Sequence, residues 1–303
     1  MLLKSTFHGI IPPVSTILQS NGELDKEGTK TVIDYLINAG VDGLFFLGSG
    51  GEFTQMSREL RMEVAAFTTE YVNRRVPVLI GTGSTSTSEA VLLSKHAEDV
   101  GADGVVVINP YYWNLSEENL LAHYGEIAEA INLPIMLYNF PELTGQDLNA
   151  ETVLKLVDKY DNIIGIKETI DSIGHIVEMI STVKGKHPEF KVFAGFDNHL
   201  LNTLTMGGDG AICASVNFAP ELAVGVYNAY KENNLQKALT LQEKLSIIPT
   251  MYKIDSPFVS VVKEAMKVRG LDISTYVLAP TQMLNDENKE KMKTILNKVN
   301  LLS

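Results

Sequence analysis

A lysine closing an apolar run is the residue best placed to do chemistry in this chain. Lys167 follows Ile163-Ile164-Gly165-Ile166, so the stem of its side chain starts among apolar residues. Desolvation disfavours an ammonium, and an amine without its extra proton attacks a ketone to form a Schiff base. The bland alternative is a rim lysine paired with Glu52 or Glu168. Tyr138, which closes the preceding apolar run, favours covalent chemistry. A phenol both donates and accepts, which is what proton transfer around a carbinolamine needs. Taken alone, Tyr138 reads as a packing aromatic. The turn Gly48-Ser49-Gly50-Gly51-Glu52 gathers closely spaced N–H groups and the Ser49 hydroxyl, a nest for a carboxylate. Its bland reading is a tight turn that uses glycine at positive φ. It is not a dinucleotide fingerprint, because the third glycine is missing.

Other reactive residues carry less. The six histidines are scattered, with no His-x-His or His-Glu-x-x-His spacing, so no zinc site is expected, and His175 and His199 read as surface or helix residues. The one cysteine, Cys213, lies in the apolar run 210–214 and reads as a buried thiol. A nucleophilic thiol would want a histidine partner beside it.

The elements that must position these groups alternate along the chain. Strand-like runs fall at 8–14, 43–47, 77–81, 104–108, 134–139, 163–167, 191–195 and 210–214. Several are continuously apolar, the pattern of parallel strands covered on both faces. Helical spacing fills 25–39, 58–73, 86–100 and 116–131, with Gly40 as a C′ residue and Ser116 as an N-cap lacking the full capping box. Ala39-Gly40-Val41-Asp42-Gly43 and Gly101-Ala102-Asp103-Gly104 are near copies, each a helix end turning into a strand. Eight βα units predict a (β/α)8 TIM barrel over 1–232, with a C-terminal helical region over 233–303. A doubly wound open sheet is disfavoured, since the first run ends in Ile11-Pro12-Pro13-Val14 with no phosphate loop. In such a barrel catalytic groups sit at strand C-termini. Those ends hold Ser49 and Gly50, Asn109, Tyr138, Lys167 and Thr169, then Gly195 on the seventh strand and Ile212 on the eighth.

Composition narrows the class. The net charge of −12 argues against a nucleic-acid partner. No stretch of transmembrane length is apolar, and residues 1–6 lack the pattern of a leader, so no membrane association is expected. A single cysteine allows no internal disulfide and fits a reducing, cytoplasmic location.

With these residues in place, the chain resembles the dihydrodipicolinate synthase and N-acetylneuraminate lyase superfamily along nearly its whole length. The matching motifs are Gly48-Ser49-Gly50-Gly51-Glu52, Asn109-Pro110-Tyr111-Tyr112, Tyr138-Asn139-Phe140-Pro141-Glu142-Leu143-Thr144-Gly145 and Gly165-Ile166-Lys167-Glu168. The resemblance implies a pyruvate Schiff base on Lys167, a proton-shuttling Tyr138, and a carboxylate loop at Ser49 and Gly50. It also implies a homotetramer of tight dimers, in which Tyr112 crosses into the neighbour's site. No metal or organic cofactor is expected, because the protonated imine is the electron sink. Two departures separate this chain from the synthases. They carry two threonines where it has Ser49 and Gly50, and an arginine, the grip on aspartate semialdehyde, where it has Leu143. The stretches 138–148, 48–53 and 109–113 are most similar to bacterial 2-keto-3-deoxygluconate aldolase, which yields pyruvate and glyceraldehyde. Asn109, Thr169 and Ser49 are then expected to hydrogen-bond a hydroxylated aldehyde, and Leu143 to pack beside its carbon chain. The alternatives are the synthase reaction and a non-catalytic barrel that binds 2-keto acids.

Overall fold

A computed structural model describes residues 7–302; residues 1–6, read above for a leader, lie outside the described residues. Eight parallel strands form the centre: β1 (Gly9–Ile10), β2 (Leu44–Phe46), β3 (Val78–Gly81), β4 (Gly104–Ile108), β5 (Ile135–Asn139), β6 (Ile163–Glu168), β7 (Lys191–Ala194) and β8 (Gly210–Ala211). Their order is β1-β8-β7-β6-β5-β4-β3-β2. Pro13 bridges Phe45, and the Val14 N–H donates to the Phe45 carbonyl at 2.7 Å, so the two ends of that order meet and the barrel closes. All eight expected strands are present. Every residue of β4, β5 and β6 is buried, which is why their sequences run apolar without alternation.

Helices α1 (Lys26–Asn38), α2 (Arg58–Val72), α3 (Thr87–Asp99) and α4 (Glu117–Ala130) fill the expected spans. Ser116, read as an N-cap from sequence, accepts from the Asn119 N–H at 3.3 Å, and the structure adds Asp25, which accepts from the Gly28 N–H at 3.0 Å. Gly40 and Gly101, at φ 84° and 85°, end α1 and its counterpart α3. The aspartate after each turn does the same work twice. Asp42 accepts from the Ile10 N–H at 2.8 Å, and Asp103 from the Val78 N–H at 2.8 Å, so each turn is pinned to the first residues of the preceding strand. Asp209 repeats this with the Val192 N–H at 3.0 Å, a third copy (Gly207-Gly208-Asp209-Gly210) not singled out in the sequence.

The later helices are α5 (Pro141–Thr144), α6 (Ala150–Lys159), α7 (Ile173–Met179), α8 (Leu200–Thr205), α9 (Pro220–Lys231), α10 (Leu235–Leu245), α11 (Val259–Val268) and α12 (Asp286–Lys298). Among the described residues no strand follows β8, as expected of a helical tail. That tail is no loose appendage. Residues 259–266 of α11 are all buried, and Met251, Val261 and Met292 share one continuous core with Phe45 and Ile166 of the barrel. Among the described residues no helix is long and apolar enough to cross a membrane.

Candidate active site

Lys167 and Tyr138 are register partners on β6 and β5, so both side chains enter the barrel interior side by side. Both are buried. The Lys167 Nζ sits 4.0 Å from the centroid of the Tyr138 ring and 5.4 Å from that of Phe45. The bland reading of Lys167 fails on its supposed partners. Glu52 pairs instead with Lys263, and Glu168 with His175. Among the described residues Lys167 makes no salt bridge, which leaves a buried amine faced by aromatic rings. A buried ammonium without a carboxylate is costly, a cost that structural lysines avoid.

Alternation along β6 sends Glu168 the other way, toward α7. There its Oε2 lies 3.2 Å from His175 Nδ1 and accepts from Asn139 Nδ2 at 3.1 Å. His175 Nε2 meets Asp147 at 3.1 Å. Bonds to Asp147 and then Glu168 raise the His175 imidazole to about 10, so it is charged at neutral pH. Burial pushes Glu168 up, while for Asp147 the bonds to His175 and Asn139 outweigh burial and hold it down. This network braces the back of the lysine strand. His175 is thus a helix residue, as read, but a half-buried one; His199 is buried against Asp171 at 2.7 Å rather than on the surface.

The loop after β2 forms a short turn over Ser49–Gly51. Its positive φ angles fall on Leu47 (61°) and Glu52 (62°), not on the glycines, which corrects the bland reading of the motif. The glycines serve close approach: a Cβ on Gly48 would meet the Phe45 ring at 2.8 Å, and one on Gly51 the Val14 carbonyl at 3.2 Å. The N–H groups of Gly51 and Glu52 donate within the turn. Those of Ser49 and Gly50 have no acceptor among the described residues, which leaves them free for an anion. The Ser49 hydroxyl lies 3.2 Å from the Tyr138 hydroxyl.

A cavity of about 590 Å³ opens above this group, lined by Ser49, Ile108, Phe140, Leu143, Tyr252 and Lys253 among others. Lys167 and Tyr138 do not line it directly; Ser49 links them to its floor. Leu143 stands at its wall, 56% exposed. Gly195 packs against Thr169, where a Cβ would fall 2.0 Å from the Thr169 hydroxyl, and that hydroxyl is buried without a partner. Ile212 is buried and donates its N–H to Ala194 at 2.8 Å. Asn109 is turned to Gln146 and Thr144, at 3.2 and 3.4 Å, and does not line the cavity. Tyr112 is 87% exposed at φ 85°, edge-on to Trp113, while its neighbour Tyr111 lines the cavity of its own chain.

Sequence reasoning missed Asp197. It is buried two residues past the end of β7's run, where only Gly195 was considered. It accepts from the Ser215 and Tyr252 hydroxyls, the latter at 3.0 Å. Burial pushes its carboxyl up. The neighbouring Cys213 thiol is pushed well above its usual range by burial and then by Asp197, so it is no nucleophile. Tyr252 comes from the tail, where no strand-end rule points. Among the described residues no cluster of histidine, cysteine and carboxylate groups is placed to hold a metal ion.

The dihydrodipicolinate synthetase family model matches residues 6–299. This chain belongs to that family. Within it, the chain is 54% identical over 298 residues to YagE of Escherichia coli K12, assigned by name as a 2-dehydro-3-deoxy-D-gluconate aldolase, covering 98% of this chain and 99% of YagE. It is 53% identical over 296 residues to YjhH of the same strain, assigned to the 2-dehydro-3-deoxy-D-pentonate, covering 98% of each chain. The crystal structure of YagE in complex with pyruvate superposes with a TM-score of 0.97, covering 98% of this chain and 100% of that one. The dihydrodipicolinate synthase of Thermotoga maritima superposes at 0.93 with 31% identity, covering 98% and 100%. The family members named as sugar-acid aldolases are therefore much nearer in sequence than this synthase.

Proposed function

We propose that this family member is a Schiff-base carbon–carbon lyase that cleaves 2-keto-3-deoxygluconate, or a sugar acid one carbon away, to pyruvate and an aldehyde. The observation that carries this reading is a buried, unpaired Lys167 against Tyr138, beneath a cavity that lacks the arginine a dicarboxylic condensation needs. The Lys167 amine adds to the C2 ketone, and Tyr138 gives its proton as water leaves, so a protonated imine and a phenolate form together. The phenolate takes the C4 hydroxyl proton. The C3–C4 bond breaks, its electron pair moves toward the imine to give the enamine, and the aldehyde departs. Tyr138 returns the proton to C3, and water releases pyruvate and the free amine. No step requires a metal or an added cofactor, because the imine accepts the electrons.

The substrate argument turns on charge. Among the cavity-lining residues Lys253 is the one cation, against the carboxylates of Glu142, Asp171 and Asp255, and no arginine lines the wall. A second substrate carboxylate there would find only the point charge of Lys253, already set against three carboxylates, and no guanidinium fork to grip it. A polyhydroxylated aldehyde needs only neutral donors and acceptors, with Leu143 beside its carbon chain. Of the other residues expected to bind substrate, Ser49 lines the cavity and Gly50 offers a free N–H beside it, while Asn109, Thr169, Gly195 and Ile212 stay in this reading as expected contacts that do not themselves line the cavity. We expect kcat/KM for cleavage of 2-keto-3-deoxygluconate to exceed that for condensation of pyruvate with aspartate semialdehyde. A tenfold advantage for condensation, about 1.4 kcal/mol of transition-state stabilisation, would replace this reading with the synthase.

The same reading assigns the chemistry to residues 1–232 and the covering of the barrel mouth to 233–303. It places the protein in the cytoplasm, where its lone thiol stays reduced. It also assigns a homotetramer built from tight dimers, supported by the exposed Tyr112 and Trp113, aromatics of the kind enriched at interfaces. Light scattering at micromolar concentration is expected to give the tetramer mass, and Tyr112→Ala with Trp113→Ala to lower it. A wild-type monomer rejects the assembly.

A further inference from the structure

The carboxylate loop is locked from behind by a part of the chain that supplies none of its groups. Glu52 ends the turn, and its side chain has no solvent exposure; Lys263 of α11, equally buried, pairs with it across 211 residues of sequence. Each partner is bound twice. The Leu278 N–H donates to Glu52 Oε1 at 2.8 Å, and Lys263 Nζ donates to the Tyr276 carbonyl at 2.7 Å. The turn is also held on its other edge, where the Thr16 hydroxyl donates to the Gly51 carbonyl at 2.8 Å.

We propose that the Glu52–Lys263 pair is a positioning device that fixes the Ser49–Gly51 turn in the shape that selects a ketone carrying a carboxylate. The inference rests on the lyase reading above. Three observations carry it. Glu52 and Leu47 bracket the turn in left-handed backbone, a strained state for any residue with a Cβ, which persists only where the surroundings enforce it. A buried ion pair adds little stability over a well-packed apolar pair, so stability alone does not account for one here. The charge balance also matters: Glu52 directly follows the glycines of an anion nest, and without Lys263 its carboxylate would oppose the substrate's own. Burial lowers the Lys263 ammonium, and the charge of Glu52 works against that fall. Removing the Glu52 charge therefore takes away what opposes that fall.

The test compares two ketones on one lysine. Wild type and E52Q are reduced with borohydride in the presence of pyruvate or of acetone, which lacks the carboxylate, and the adduct at Lys167 is followed by mass. Gln keeps the shape of Glu and an oxygen for the Leu278 N–H. The ratio of pyruvate to acetone trapping rates is expected to fall about tenfold in E52Q, the size of a well-placed hydrogen bond to a charged group. General loosening of the fold slows both ketones together and leaves the ratio where it was, and an unchanged ratio overturns the proposal. If E52Q does not fold, E52Q combined with K263M removes both charges at once and carries the same comparison. A wild type that traps neither ketone at Lys167 defeats the lyase reading itself, an outcome separate from an unchanged ratio.

Discussion

Lys167→Ala is expected to abolish turnover without destabilising the fold. Cleavage of the C3–C4 bond needs somewhere for the electron pair to go, and the protonated imine on Lys167 is that place. Without it, kcat should fall on the order of 10⁴ to 10⁶, the range seen when an essential nucleophile is removed. Stability should move the other way or not at all. The native side chain is an amine buried against the Tyr138 and Phe45 rings with no carboxylate beside it, so truncation removes a desolvation cost along with its packing. Borohydride reduction with pyruvate should add a reduced pyruvyl group to the peptide that contains Lys167, and the alanine variant should take up none there. An adduct on a different lysine, or a variant that keeps more than about a hundredth of wild-type kcat, would falsify the assignment. A rise or no change in Tm alongside lost activity would show that Lys167 is kept for chemistry rather than for packing.

The parts that were legible in sequence are those governed by local periodicity. Val105-Val106-Val107-Ile108 reads as a doubly covered strand because each residue of β4 is buried, and Tyr138 and Lys167, read near the ends of their runs, lie there on β5 and β6 as register partners. The first and last strands were overestimated: β1 and β8 are two residues each, and Gly9 and Gly210, paired in the ladder, pass so closely that a Cβ on Gly210 would lie 1.8 Å from the Gly9 carbonyl oxygen. Gly48 and Gly51 were found, but for a reason the structure corrects: they make room, while Leu47 and Glu52 carry the positive φ. What stayed hidden was long-range. Glu52 with Lys263, and Asp197 with Tyr252, are joined by tertiary packing across sequence gaps that leave no period to read. Glu52 stood beside Glu168 as a possible partner for Lys167, and only the path of the tail shows that α11 already claims it.

Tyr138→Phe is the second large expected effect, and it separates proton transfer from ring packing. Phenylalanine keeps the aromatic face 4.0 Å from the Lys167 amine and the edge contact with Phe45, so the pocket around the lysine should persist. What is lost is one hydroxyl, the group that supplies the proton for water loss and takes the C4 proton as the bond breaks. General acid–base groups of this kind contribute about 10² to 10⁴ in rate, so kcat should fall within that span. Ser49→Ala removes the hydroxyl 3.2 Å from the Tyr138 oxygen and should cost less, about tenfold, since water can enter the relay there. The two steps should also separate with pH in the phenylalanine variant. Solvent protons can replace the phenol in water loss, so cyanoborohydride trapping of pyruvate, taken relative to wild type at the same pH, should recover as pH falls from neutral. Cleavage should not recover, because it needs a base at the C4 hydroxyl, and acid removes bases. If trapping and cleavage recover together, or if Tyr138→Phe stays within about tenfold of wild type, the phenol is not the shuttle and Ser49 or water must carry the proton.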